Sequence, residues 1–249
     1  MGDPLRLYGL KALVLHAGSG VGEASARTLV KHGATVVAAD TSNSDVERHF
    51  SAVKGVTGIT ANLADADEMP ALVQEVVDQL GGIDILVNEF PLPFKTPIKA
   101  SADNLDGLLK SRAALILSTC RAALPHLKKS PAGRIVNMGF LRSCFAADAN
   151  QEYTKAEKDL ANLTRALAIE IGEFGINANY LQPGGVMTPD SRDVFRNDQA
   201  LRDHCIKASA ASRLGEPVDI AKVVLFLASD DSVFVSGTGI AVDGGRTGS

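Results

Sequence analysis

The sequence predicts an α/β protein built on a doubly wound parallel sheet of about seven strands, with helices on both faces. Three observations predict it. Short, continuously apolar, β-rich runs recur along the chain. Segments with apolar residues spaced near 3.6 separate them. A glycine-rich turn joins the first run to the first such segment. Runs that are apolar at every position fit strands covered on both faces. Their alternation with helices implies right-handed βαβ crossovers.

The elements follow in order. KALVL (11–15) reads as the first strand. In Ala24–Val30, small and apolar residues face the sheet as a helix. ATVVAA (34–39) and VTGIT (56–60) are the next strands. In MPALVQEVVDQL (69–80), Leu72, Val73, Val76, Val77 and Leu80 form one apolar stripe, the mark of an amphipathic helix. IDILV (83–87) is a strand, 103–129 a long helix, RIVNM (134–138) a strand and 152–173 a second long helix. INANYL (176–181) and GIAVD (239–243) complete the strands. No linker, low-complexity tract or internal repeat interrupts the pattern, so residues 1–249 read as one domain.

Composition narrows the function classes. The chain is 45% hydrophobic and 22% charged, which is enough apolar residue for a full core. A net charge of −4, with no basic run longer than Lys128–Lys129, speaks against a nucleic-acid partner. No stretch of about 18 apolar residues suggests a membrane span. The N-terminal residues do not read as a secretory signal, and a cytoplasmic protein is expected. Cys120, Cys144 and Cys205 are scattered and odd in number, fitting neither a disulfide framework nor a zinc site. His32, His49, His126 and His204 lack metal-ligand spacing, so no metal is expected.

The first chemical signal is LVLHAGSGVGEA, with Gly18, Gly20 and Gly22 between a strand and a helix. There, backbone amides and the helix dipole favour a pyrophosphate. The second strand ends in Asp40, eighteen residues after Gly22. A carboxylate in that place accepts hydrogen bonds from ribose hydroxyls and repels a 2′-phosphate, which favours NAD over NADP. The alternative is that the glycines serve only tight packing of helix on sheet.

Further segments carry a family resemblance: GGIDILVNEF, CRAALPHLKKSPAGRIVNM, INANYLQPGGVMTP and RLGEPVDIAKVVLFLASDDSVFVSGTGIAVDGG. Over roughly residues 5–246 the chain resembles the short-chain dehydrogenases/reductases, which implies a Rossmann-type sheet. It also implies nicotinamide chemistry through an Asn–Ser–Tyr–Lys tetrad. Aligned on the family, the tyrosine is Tyr153, while Arg112, Phe140 and Glu157 stand at the asparagine, serine and lysine positions. The cofactor positions implied are Gly18, Gly20, Val21, Gly22, Asp40, Asn62, Leu63, Asn88, Pro183, Gly184 and Thr188. His16 stands where the family has the first glycine of its turn, and Glu89, Phe90 and Pro91 follow Asn88 in place of Asn-Ala-Gly. Residues 189–212 occupy the place of the family's substrate lid.

These replacements bear directly on the chemistry. The lysine's ammonium lowers the phenol pKa, whereas a carboxylate on the same helical face opposes its ionisation. At i+4, Glu157 lies about 40° from Tyr153 around the helix axis, while Lys155 and Lys158 point away. Phe140 donates nothing to a developing oxyanion; Ser143 is a candidate substitute. Arg112 and Glu157 are expected to pair. Three readings stay open. The chain is a non-catalytic or regulatory subunit, in a homo-oligomer (dimer or tetramer) or a hetero-oligomer with an active homologue, assembled through 103–129 and 152–173. Or it is an NAD-dependent oxidoreductase with Tyr153 as acid and Arg112 beside the substrate oxygen. Or it runs a lyase- or dehalogenase-like reaction without nucleotide.

Overall fold

A computed structural model describes residues 6–90, 102–139 and 151–246, with the side chains of 102–106, 108–109 and 151–154 outside the description. Seven strands form one sheet: β1 (Lys11–Leu15), β2 (Thr35–Asp40), β3 (Val56–Thr60), β4 (Ile85–Asn88), β5 (Arg134–Met138), β6 (Asn177–Pro183) and β7 (Gly239–Val242). Their order is β3-β2-β1-β4-β5-β6-β7, and every neighbouring pair is parallel. This is a Rossmann-type doubly wound sheet. The order reverses between β1 and β4, and a ligand crevice opens beyond the carboxyl ends of strands at such a reversal.

The described helices are α1 (Gly20–Lys31), α2 (Val46–Phe50), α3 (Met69–Leu80), α4 (Ala102–Leu127), α5 (Gln151–Ile171), α6 (Pro189–Asn197), α7 (Gln199–Lys207) and α8 (Pro217–Ala228). The period-2 alternation of β1 divides the core. Ala12 and Val14 meet the α1–α8 layer with Val21, Leu29, Ile220 and Val224. Leu13 and Leu15 meet the α3–α4–α5 layer with Leu72, Val76, Ile116 and Leu160. Burial at about 25 cal/mol per Å² of apolar area on both faces is what holds such a sheet.

All seven predicted strands are present, with ends within two residues. The predicted helices at 24–30, 69–80, 103–129 and 152–173 are α1, α3, α4 and α5. Helices α2, α6, α7 and α8 went unassigned. Two of them carry start signals that mark them. Thr188 caps α6 by accepting from the Ser191 N–H at 3.1 Å, with Pro189 following. Glu216 and Asp219 form the capping box of α8, again with a proline next in line. In α6 and α7, Phe195 and Cys205 pack with Met187, Leu201 and Leu214 into a small separate core. The predicted lid segment therefore has internal apolar support.

Candidate active site

The carboxyl ends of β1, β2 and β4 bring the first group of predicted residues together. Gly22 allows α1 to press onto β1: a Cβ there would lie 2.2 Å from the His16 carbonyl oxygen and 2.9 Å from Glu89 Oε2. Gly18 sits equally close to the β2 side, where a Cβ would lie 2.4 Å from Ser44 Cβ. Its N–H donates to Asp40 Oδ2 at 2.6 Å, and the Thr41 N–H donates to Asp40 Oδ1 at 2.6 Å. Asp40 is 6% exposed, and each of its oxygens accepts one backbone N–H. Gly20 packs against Thr188, and Val21 points into the core.

His16 takes a left-handed backbone, φ 50°, unusual for any residue but glycine. Its imidazole lies across the end of β1. On one side Nδ1 is 3.6 Å from Asp40 Oδ1; on the other, the ring meets Phe90 edge-on, centroids 5.6 Å apart. Burial pushes the imidazole pKa down; Asp40 opposes this and Arg112 reinforces it. At 3.6 Å and with a lowered pKa, the contact is that of a neutral ring beside a carboxylate and not an ion pair.

Glu89 follows β4 and reaches beneath the first turn of α1. Its Oε2 is buried without a hydrogen-bond partner. Burial raises its pKa to about 8, the charge of Asp40 and that of Asp190 adding to the rise and Arg112 opposing it. The acid is therefore mostly protonated at neutral pH.

Arg112 on α4 is 6% exposed. Its Nε donates to the Phe90 carbonyl at 2.7 Å and Nη2 donates to the Met138 carbonyl, tying together the ends of β4 and β5. Burial lowers its pKa to about 10, against the pull of Glu157 and Glu89. Glu157, on α5, accepts from Gln182 Nε2 at 2.8 Å and lies over Gly139 at the end of β5. Glu157 raises the Arg112 pKa, so the two predicted partners act on each other electrostatically across the end of β5. Gln182, which holds the carboxylate, was missed; the parallel β5–β6 register that brings it there is invisible in a local sequence window.

The remaining positions divide. Asn88 is fully buried and donates to Asn137 Oδ1 at 2.9 Å and to Cys120 Sγ at 3.3 Å; Asn137 in turn donates to Thr164. Its side chain therefore faces α4 and α5. Burial pushes the Cys120 thiol up to about 12, so it is inert as a nucleophile. Asn62 Nδ2 donates to Glu68 at 2.7 Å, and Leu63 is buried in the core. Pro183 ends β6 against Val242, and Gly184 passes so close to Asp243 that a Cβ would lie 2.7 Å from its Cα. Lys155 is exposed and pairs with Asp159 at 2.7 Å, and Lys158 is exposed, so neither supplies an ammonium inside the fold. Tyr153 lies in the first turn of α5, its side chain outside the described residues, as are Phe140, Ser143 and Pro91. Among the described residues no group of three or more His, Cys, Asp or Glu side chains could hold a metal ion. Nor is any helix among them long and apolar enough to cross a membrane.

In this arrangement the protein's own groups crowd the nucleoside part of the crevice. The donor and acceptor that would flank a ribose, Gly18 N–H and Asp40, are bonded to each other. A neutral ring lies beside them, and the buried Glu89 carboxyl lies close to Gly22 in the first turn of α1.

The chain's sequence is nonetheless similar to that of working reductases. Residues 16–247 match the family model described as enoyl-(acyl carrier protein) reductase. The 3-oxoacyl-[acyl-carrier-protein] reductase FabG of Thermotoga maritima is 27% identical over 246 residues, covering 97% of this chain and 99% of the relative. Oxidoreductase UcpA of Escherichia coli is 29% identical, covering 97% and 96%. The (2S)-[(R)-hydroxy(phenyl)methyl]succinyl-CoA dehydrogenase subunit BbsD of Thauera aromatica is 33% identical, covering 95% and 96%.

Proposed function

The chain belongs to the short-chain dehydrogenase/reductase family, and from that premise we propose that it is a non-catalytic or regulatory subunit of an oligomer of that family. The observation that carries this reading is Glu157. A carboxylate stands where the family's lysine would lower the phenol pKa of Tyr153, and Gln182 holds it there. No neighbouring lysine of α5 replaces it, since Lys155 and Lys158 project outward. Without a cation, a phenol near its ordinary pKa of about 10 is a poor proton-transfer group at neutral pH. Arg112 does not offer an easy substitute, because two of its N–H groups are committed to the Phe90 and Met138 carbonyls. The work of such a subunit is assembly, in the cytoplasm, through α4 and α5. Ile169 on α5 is 77% exposed, an apolar side chain a partner would cover. That BbsD is named as a dehydrogenase subunit makes an assembly of related chains a natural setting.

The competing reading is an atypical oxidoreductase with Tyr153 as acid and NAD as cofactor; the full-length likeness to FabG and UcpA favours it. The two separate in one assay. NADH and NADPH oxidation is followed with 3-oxoacyl thioesters and simple ketones, alone and after mixing with an intact-tetrad homologue, with native mass spectrometry reading the assembly. The proposal expects no turnover alone and a mixed oligomer. Turnover by the chain alone that Tyr153→Phe abolishes would overturn it.

A further inference from the structure

We propose that His16 is an intramolecular plug: with Phe90 and Asp40 it closes the nucleoside part of the crevice, and removing the ring opens the crevice to adenosine nucleotides. The inference rests on the non-catalytic reading above and explains why the crevice itself, and not only the proton relay, is silent.

Topology places the plug. A crevice beyond a parallel sheet lies where the strand order reverses, here between β1 and β4. His16 is the first residue after β1, and its ring spans from Asp40, at the end of neighbouring β2, to Phe90, just past neighbouring β4. The imidazole therefore spans the end of β1 from β2 to β4, the two strands beside it. It is held from both sides, and its side chain keeps 22% exposure. Beside it the turn has satisfied its own polar groups: Gly18 N–H bonds to Asp40 Oδ2, and the Ser44 side chain fills the space over Gly18. A ribose would have to displace that ring and share Asp40 with the Gly18 N–H.

The backbone supplies an independent sign. At φ 50° a residue with a Cβ is strained, and glycine is the residue suited to that conformation. The chain holds a histidine there, and the cost is met by the contacts of its ring.

His16→Gly is therefore the test, because it removes the plug while relieving the backbone; His16→Asn, which also tolerates the left-handed region, is the second variant. AMP and NADH are titrated calorimetrically into the wild type and both variants, with thermal melting as the folding control. The proposal expects both variants to fold and to bind AMP and NADH at least about tenfold more tightly than the wild type, with no hydride transfer gained. Folded variants with wild-type affinity for both nucleotides would overturn the plug and leave the non-catalytic reading standing. A gain for NADH without a gain for AMP would place the obstruction elsewhere and equally overturn it. Wild-type protein that binds NADH as tightly as His16→Gly and turns it over would bring down both.

Discussion

Two carboxylates flank strand β4, and the protein treats them in opposite ways. Asp84, just before the strand, accepts from the Lys11 N–H at 2.7 Å and from the Ser130 hydroxyl at 2.5 Å, so each oxygen is used. Glu89, just after it, leaves Oε2 buried and unbonded. One end of the sheet is a finished structural joint. The other holds an unresolved acid among Asp40, Asp190 and a neutral imidazole. Buried polar atoms without partners also occur elsewhere, as at Arg134 Nε, but at the Glu89 end the unpaired atom belongs to an acid beside the ligand crevice.

The largest test of that contrast is Asp84→Ala. Losing both acceptor oxygens strands a backbone N–H and a hydroxyl, and the expected cost is about 3 kcal/mol of unfolding free energy in urea. A change under ~1 kcal/mol would show that the joint is not what ties β1, β4 and the α4–β5 turn together. Gly22→Ala comes next. Its Cβ would meet the His16 backbone at 2.2 Å, and overpacking of α1 on β1 should cost about 2 kcal/mol. A variant as stable as the wild type would mean that the turn has slack.

Glu89→Gln should act in the other direction, by about 1 kcal/mol or more at high pH. The folded-state pKa of Glu89 is raised to about 8 by burial and by its acidic neighbours, above an unfolded value near 4.3. The folded protein therefore holds the proton more strongly across that window. The acid's contribution is most favourable below pH ~4.3 and is lost as pH rises through about 8. The glutamine variant should thus gain on the wild type from pH 5 up to about pH 8 and level off above it in thermal melts. Equal curves across that range would show that the carboxyl is solvated and the contrast with Asp84 is false.

Much of this was legible in the sequence, for definite reasons. Strands such as Ala12–Val14 and Ile85–Val87 are apolar on both faces, so they stand out without any partner. The short helices α6 and α8 announce themselves through Thr188-Pro189 and Glu216-Pro217, not through a long apolar stripe. The glycine turn and Asp40 were identifiable from spacing, and His16 from the family resemblance. What spacing could not show is that the turn and Asp40 would bond to each other. Asn88 was assigned to the cofactor by analogy, yet strand alternation puts its side chain on the Leu86 face, towards α4 and α5. Glu157 was identified, but its partner Gln182 lies on another strand and is reached only through the fold.

The smallest predicted change is in the crevice itself, and it is also the most direct test of the central claim. That test is a crystal structure of the chain grown with NADH. It should show the Gly18–Asp40 bond intact, the His16 ring seated between Asp40 and Phe90, and no ordered dinucleotide over the turn. An ordered NADH with its nicotinamide beside Tyr153, the His16 ring swung aside and a cation reaching the phenol, would contradict the account.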